Sequence, residues 1–213
     1  MNVLLPEKEL LKKTGDVDYF DWNYRFPISI IQQYRFKKIT ELLGNKKYST
    51  LLEVGTGSGI FLPELSKHCD KLFACDIYDD YSHIKKLCDH YNITDCTLNK
   101  QNIEKTTYTD NFFDVIIGVS VLEFVNNIQT AIDEIKRIMK PNGIFITICP
   151  MQSEFLDSIL SFYSCKKPKE EFGNSRLLVT RKLDENFKIV KKGFMVPFIG
   201  TWFPVYTHYV LSK

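Results

Sequence analysis

From Thr50 onward, short runs rich in β-branched and aromatic residues alternate with segments of helical period, and this alternation restricts the chain more than any other feature. Strand, helical crossover and strand again is the pattern of a parallel sheet with helices on both faces. Thr50 to Val54 reads as the first strand, Leu72 to Cys75 as the second and Cys96 to Leu98 as a weaker third. The run FFDVIIGVSVL from Phe112 is apolar without alternation, as expected of a central strand buried on both faces. A helix is predicted around Ile60 to His68, with Pro63 tolerable only in its first turn. Ile84, Leu87, Cys88 and Tyr91 recur at i, i+3, i+4 and i+7 and mark a second helix with one buried face. Ile128, Ala131, Ile132, Ile135 and Met139 mark a third, with Lys136, Arg137 and Lys140 placed in its last turn against the negative end of the dipole. Pro141 to Gly143 should then turn the chain into a fifth strand, IFITIC.

The tail follows a different rule. FKIVKKGFMV and PVYTHYVLSK have no helix between them and should pair antiparallel at one edge. The expected fold is a doubly wound, Rossmann-like α/β domain. Its seven-stranded sheet is mostly parallel, with one antiparallel strand near the edge and helices on both faces. Ahead of the sheet, the aromatic stretch DVDYFDWNYRFP precedes a helix that starts at Pro27 and closes at Gly44. With 213 residues, 44% of them hydrophobic, and no break in composition, the chain reads as one domain, residues 1–213. Within it, 1–46 form an N-terminal helical cap and substrate segment, 47–150 a cofactor-binding core, and 151–213 an insert and a C-terminal hairpin.

Charge and cysteine usage exclude some classes. Twenty-eight basic against 26 acidic residues leave a formal charge of +2, which supports no nucleic-acid partner. The 6 cysteines are scattered without a C-x-x-C pair, as free thiols in a reducing compartment would be. No apolar run reaches the ~18 residues a membrane span requires, and MNVLLPEKELLKKTG is no secretion leader. The expectation is a soluble cytoplasmic protein with no transmembrane segment, a homodimer being left open. His83, Cys88 and His90 share one helix, but Cys88 falls on its apolar face, so no metal site is predicted.

The first strand runs into EVGTGSG, with Gly55, Gly57 and Gly59 at alternate positions. Strand, glycine turn and helix bring a nucleotide-like ligand against backbone N–H groups. Two ligand classes use that device. The dinucleotide fingerprint GxGxxG places its third glycine one residue later, where this chain has Ile60. Glu53, two residues before the first glycine, would repel a pyrophosphate and attract an ammonium or sulfonium. Asp76 ends the next strand about 20 residues on, where a carboxylate meets ribose hydroxyls, and fits either ligand.

These residues resemble the class I S-adenosylmethionine-dependent methyltransferases, in particular the small-molecule branch called type 11. The family's first motif is matched by EVGTGSG and its ribose acid by Asp76 in FACDIY. Asn102-Ile103 stands at its adenine edge, NFFDVIIGVSVLEFV at its fourth-strand motif, and IKRIMKPNGIF at its lysine-proline-glycine turn. The resemblance implies S-adenosyl-L-methionine as cofactor and S-adenosyl-L-homocysteine as product. It further implies Glu53 at the methionine amino group, the loop from Gly55 through Thr56 and Gly57 to Gly59 under the ligand, and Ile77 and Ile103 around the adenine. Val119 and Ser120 would line the methionine side. Two positions depart from the family pattern: Asn102 replaces an Asp and brings no charge, and Phe124 replaces a histidine, which removes that base.

The implied reaction needs alignment of an incoming lone pair and exclusion of water. For a base, Ser120 and Glu123 follow the fourth strand, but Ser120 is expected to serve as a wall and Glu123 to face solvent or cap a helix. GVSV stands where enzymes that methylate DNA bases or glutamine carry N/D-P-P-Y/F, which points away from those substrates. A small-molecule acceptor with an apolar or ring portion is expected, methylated on oxygen or carbon. Its pocket would draw on Tyr19, Phe20, Trp22, Tyr24, Phe26, Phe155, Phe162, Tyr163, Trp202 and Phe203, most of which should fill the core. The apolar connection FIGTWFP is a further candidate surface. Arg25 and Arg35 are candidates for an acceptor carboxylate or phosphate, an exposed helix surface being the expected home of Arg35. Two alternatives stand: a nicotinamide-dependent oxidoreductase that tolerates Glu53, and a non-catalytic relative that binds S-adenosylmethionine.

Overall fold

A central strand that is almost wholly apolar has no polar face to turn to water, so it must be covered on both sides. In the computed structural model that strand is β4, Phe113–Val119, where Val115, Ile116 and Ile117 are each fully buried. The structure describes residues 3–152, 157, 175–195 and 204–213. The other strands are β1 Tyr48–Val54, β2 Cys69–Asp76, β3 Cys96–Lys100, β5 Met139–Pro150, β6 Lys188–Met195 and β7 Tyr206–Ser212. They form one seven-stranded sheet in the order β3-β2-β1-β4-β5-β7-β6. Strands β1 to β5 are parallel, and β7 runs antiparallel to both neighbours, as the helix-free tail requires.

Alternate side chains leave each strand on opposite faces, and each face has its own helical cover. Leu51, Ile117 and Ile146 pack with α1 (Ile28–Leu43), α2 (Leu62–Leu65) and α3 (Ser82–His90). Their neighbours Leu52, Ile116 and Phe145 pack with α4 (Ile128–Ile138) and α5 (Ser175–Asn186) on the other side. Helix α1 begins after Pro27 and ends at Gly44, whose φ of 64° closes the helix. Asn127 caps α4 through its side-chain oxygen, which accepts from the N–H groups of Gln129 and Thr130. No helix among the described residues is long and apolar enough to cross a membrane.

Two local expectations are corrected. The helix expected over Ile60 to His68 is a single turn, Leu62–Leu65, followed by a 3-10 turn, Ser66–His68. Pro63 fixes its start, and the pairing of Tyr48 with Cys69 leaves no room for more helix before β2 begins. The Pro141 to Gly143 segment is not a separate turn but a bulged beginning of β5. Phe113 faces Met139 and Val115 faces Ile144, so the extra residues of β5 loop out between those pairs. Lys140 consequently leaves the end of α4 and pairs with Asp114 at 2.9 Å.

The bulge carries a prediction. A Cβ on Gly143 would lie 2.9 Å from the carbonyl oxygen of Phe113 and 3.0 Å from that of Lys140, both backbone atoms that cannot swing away. Gly143→Ala is expected to destabilise the fold by about 1–3 kcal/mol, read as a lower urea midpoint with an unchanged slope. An unshifted midpoint would mean that this segment turns outside the strand.

Candidate active site

Strand β1 lies between β2 and β4, so the chain order reverses at β1 and a crevice opens beyond the carboxyl ends of the three strands. Their register puts Val54 beside both Cys75 and Gly118, bringing the three ends to one level. The glycine loop leaves β1 here. The N–H groups of Gly55 and Thr56 both donate to the Cys75 carbonyl, at 2.9 and 3.2 Å. At Gly55, φ is 73° and a Cβ would fall 2.4 Å from Val121, so only glycine fits. Asp76 locks the loop from β2: its carboxylate accepts from the N–H of Gly57 at 2.8 Å and from that of Ile77 at 2.7 Å.

Around this loop lies a cavity of about 310 Å³. Glu53, Gly55, Thr56 and Gly57 line it from β1 and the loop, and Asp76 and Ile77 from the end of β2. Asn102 and Ile103 enter from the turn after β3, Val119 and Ser120 from the end of β4. Gly59 is not among the lining residues. A Cβ there would meet Ile84 and Leu62, so Gly59 packs against both. Ile77 stands 58% exposed at the cavity while Ile103 is buried. The Oδ1 of Asn102 already accepts from the N–H of Glu104 at 2.9 Å.

Two buried carboxyls set the electrostatics. Glu53 is only 5% exposed and its Oε2 has no hydrogen-bond partner. Burial, with the charge of Asp76 second, pushes its pKa up to about 8, against a smaller opposing effect of Thr56. A cationic group in the cavity would satisfy that orphaned oxygen, and the residues present therefore fit the ammonium of an amino-acid-like ligand. Glu123 neither faces solvent nor sits outside the pocket: it is 7% exposed, lines the same cavity and leaves Oε2 without a hydrogen-bond partner. Burial raises its pKa to about 7, opposed by its own backbone N–H and by Arg176 and Arg35.

Ser120 lines the same cavity, held at φ 52° by its N–H donating to the Ile148 carbonyl at 2.8 Å. Its Oγ accepts from Nη1 of Arg35 at 3.0 Å. The expectation of an exposed Arg35 is corrected, because α1 packs across the sheet and turns this side chain into the cavity. Arg25 is on the surface, paired with Asp21 at 2.8 Å. Of the aromatic candidates, Tyr19, Phe20 and Trp22 line the cavity. Tyr24 instead donates its hydroxyl to the Pro6 carbonyl, and Phe26 is exposed. Phe155, Phe162, Tyr163, Trp202 and Phe203, with most of FIGTWFP, lie outside the described residues.

Asp18 and Arg176 are cavity residues that sequence reasoning missed. The Asp18 carboxylate accepts from the N–H and hydroxyl of Thr14, both at 3.1 Å, and its Oδ2 lies 3.4 Å from where a Cβ on Gly57 would be. The N-terminal segment is thereby folded over the glycine loop, and burial raises the Asp18 pKa. Neither residue belongs to a local motif that would have marked it.

Residues 52–147 match the family described as Methyltransferase domain. That span, a little under half of the chain, is similar to a methyltransferase domain. The oxidoreductase alternative for the glycine loop finds no support in that match. A ubiquinone biosynthesis O-methyltransferase of Coxiella burnetii (strain Dugway 5J108-111) is 27% identical over 140 residues, covering 64% of this chain and 59% of that protein. The protein of the same name from Rickettsia canadensis (strain McKiel) is 25% identical over 164 residues, 72% of this chain and 69% of its own length. The chain thus spans about three fifths of the length of the Coxiella relatives it matches. Among solved structures, the N-methyltransferase NodS from Bradyrhizobium japonicum WM9 in complex with S-adenosyl-L-homocysteine superposes with a TM-score of 0.65 at 16% identity. That match covers 93% of this chain and 95% of the NodS chain. A SAM-dependent methyltransferase from Aquifex aeolicus gives 0.64 at 20% identity over 84% and 89% of the two chains. Likeness at these identities establishes the fold.

The raised pKa of Glu53 predicts a cost in the ligand-free protein. Its folded value lies above the unfolded one, so the stability present below about pH 4.5 is lost as pH rises through about 8. Glu53→Gln removes that loss. The variant is expected to match the wild type at pH 4 and to exceed it by at least about 1 kcal/mol at pH 8.5, by urea unfolding at both values. A constant difference across that range would show that folding does not shift the Glu53 pKa.

Proposed function

We propose that this methyltransferase transfers a methyl group from S-adenosylmethionine to an oxygen of a small molecule that has a ring portion. Glu123 is the observation that carries the choice of oxygen: a buried carboxyl with a pKa of about 7 on the cavity wall is poised to take the proton of a weakly acidic hydroxyl. The O-methyltransferase names of the Coxiella and Rickettsia relatives support the same reading.

The bound donor supplies a methyl group already activated on sulfur. Everything else falls to the chain. Glu53, ionised by the arrival of an ammonium, holds the amino-acid end, and Asp76 offers its remaining lone pairs to the ribose hydroxyls. Ile77 covers one side of the adenine, with Ile103 on the other and Asn102 at its edge. Gly55, Thr56 and Gly57 let the backbone approach closely, while Val119 and Ser120 flank the reacting end. Glu123 accepts the acceptor's proton as its oxygen attacks, and Tyr19, Phe20 and Trp22 offer ring surfaces against which an acceptor packs and water is excluded.

Titration calorimetry with S-adenosylhomocysteine tests the donor half. Tight binding weakened by Asp76→Ala and by Glu53→Gln is expected, with proton release at pH 7 visible as a heat that depends on the buffer. The affinity should rise with pH towards about 8, because the free enzyme then no longer holds the Glu53 proton. Unaltered binding in both variants would remove them from the donor seat. For the acceptor half, Glu123→Gln should lower kcat about 10²–10⁴-fold and abolish a wild-type rise in kcat/KM through about pH 7. A variant with wild-type rate and profile would exclude Glu123 as the proton acceptor.

A further inference from the structure

The donor-binding residues leave one charged wall of the cavity without a role. Arg35 is half-buried on α1, and every hydrogen-bond partner recorded for it is neutral. Nη1 donates to Ser120 Oγ at 3.0 Å, Nη2 contacts Gln32 Oε1, and Nε reaches the Gln32 carbonyl at 3.5 Å. The guanidinium carbon lies 5.4 Å from the ring centre of Tyr206 and 5.7 Å from that of Phe36. Among the described residues no carboxylate comes within ion-pair distance of it. The second cation of the cavity is in a different position: Arg176 is paired with Asp157 at 2.5 Å, so its charge is compensated. A guanidinium held between two rings and drawn out of bulk water attracts an anion more strongly than an exposed one, and its planar fork matches a carboxylate.

We propose that Arg35 binds the carboxylate of the methyl acceptor, and that the acceptor is a hydroxylated aromatic carboxylic acid. Arg35 is ion-paired with no carboxylate among the described residues, and its single positive charge matches one negative charge. A phosphate dianion would leave an excess charge beside Glu123, which lines the same cavity. The ring follows from the apolar faces of Tyr19, Phe20, Trp22 and Tyr206 on the same walls. Because Arg35 is itself bonded to Ser120 at the end of β4, an acid gripped there lies against the donor end of the cavity rather than at a remote mouth. The inference rests on the methyl-transfer reading above and specifies its substrate class.

The test uses the full chain saturated with S-adenosylhomocysteine, titrated with 3,4-dihydroxybenzoate and 3,4-dihydroxycinnamate and with the primary amide of each. The acids are expected to bind about tenfold or more tightly than the amides. Arg35→Met should erase that preference, and Arg35→Lys should keep part of it. With S-adenosylmethionine, the same preference should appear mainly in KM of the wild type. Equal binding of acid and amide by the wild type overturns the proposal, as does an acid preference that survives in a folded Arg35→Met chain. If that variant does not fold, the wild-type comparison alone decides. Amides methylated as well as acids would sink the carboxylate site and leave methyl transfer standing. Failure of S-adenosylhomocysteine itself to bind would sink both.

Discussion

Parallel pairing of β1 with β2 on one side and β4 on the other is the constraint from which the site follows. Once Val54 is level with Cys75 and Gly118, the residues just beyond those strands have to meet: the glycine loop, Asp76 and the turn at Ser120. The hydrogen bond from Gly57 to Asp76 then fixes the loop to the neighbouring strand, so the residues that would hold a nucleoside are positioned before one arrives. Helices α1 to α4 serve this arrangement from a distance by burying both faces of the sheet, so that no strand can slip without exposing a row of Leu, Ile and Phe side chains.

Within that frame, burial gives two glutamates different tasks. Glu53 and Glu123 are both nearly inaccessible and both hold an oxygen without a hydrogen-bond partner. Beside Glu53 lies the like charge of Asp76, and a cation is what relieves it. Glu123 is acted on instead by two guanidiniums, which bring its pKa down towards neutrality, where a carboxyl exchanges protons most usefully. Ser120, bonded to Arg35 and fixed by the Ile148 carbonyl, lines the cavity with both.

The contributors divide along the chain. The glycine loop, Asp76, Asn102 and Ser120 all fall within residues 52–147, the span of the family match. Asp18, Tyr19 and Arg35 come from before it, and Arg176 and Tyr206 from after it. The glycine-loop side of the cavity thus comes from the matched span, while much of the opposite wall is drawn from segments outside it. That division is expected where one scaffold supports many substrates.

Local sequence was enough for what depends on local physics. Period-2 and period-3.6 patterns marked the strands and most of the helices, the three glycines marked the loop, and the helix-free tail marked the antiparallel strand. Where competition between elements mattered, local patterns fell short. The helix after Gly59 was cut to one turn by strand pairing, and the lysine-proline-glycine segment was drawn into β5. The charged residues of the acceptor side were beyond local reach for a related reason. Whether Glu123 faces water or a dry cavity, and whether Arg35 lies on an exposed helix surface or against Ser120, depends on how α1 and α5 settle on opposite faces of the sheet. A titratable group's burial and its charged neighbours come from residues distant in the chain. The sequence alone therefore determined the sheet and the glycine loop, and only packing in three dimensions decided which carboxyl was buried at the cavity and which cation lined it.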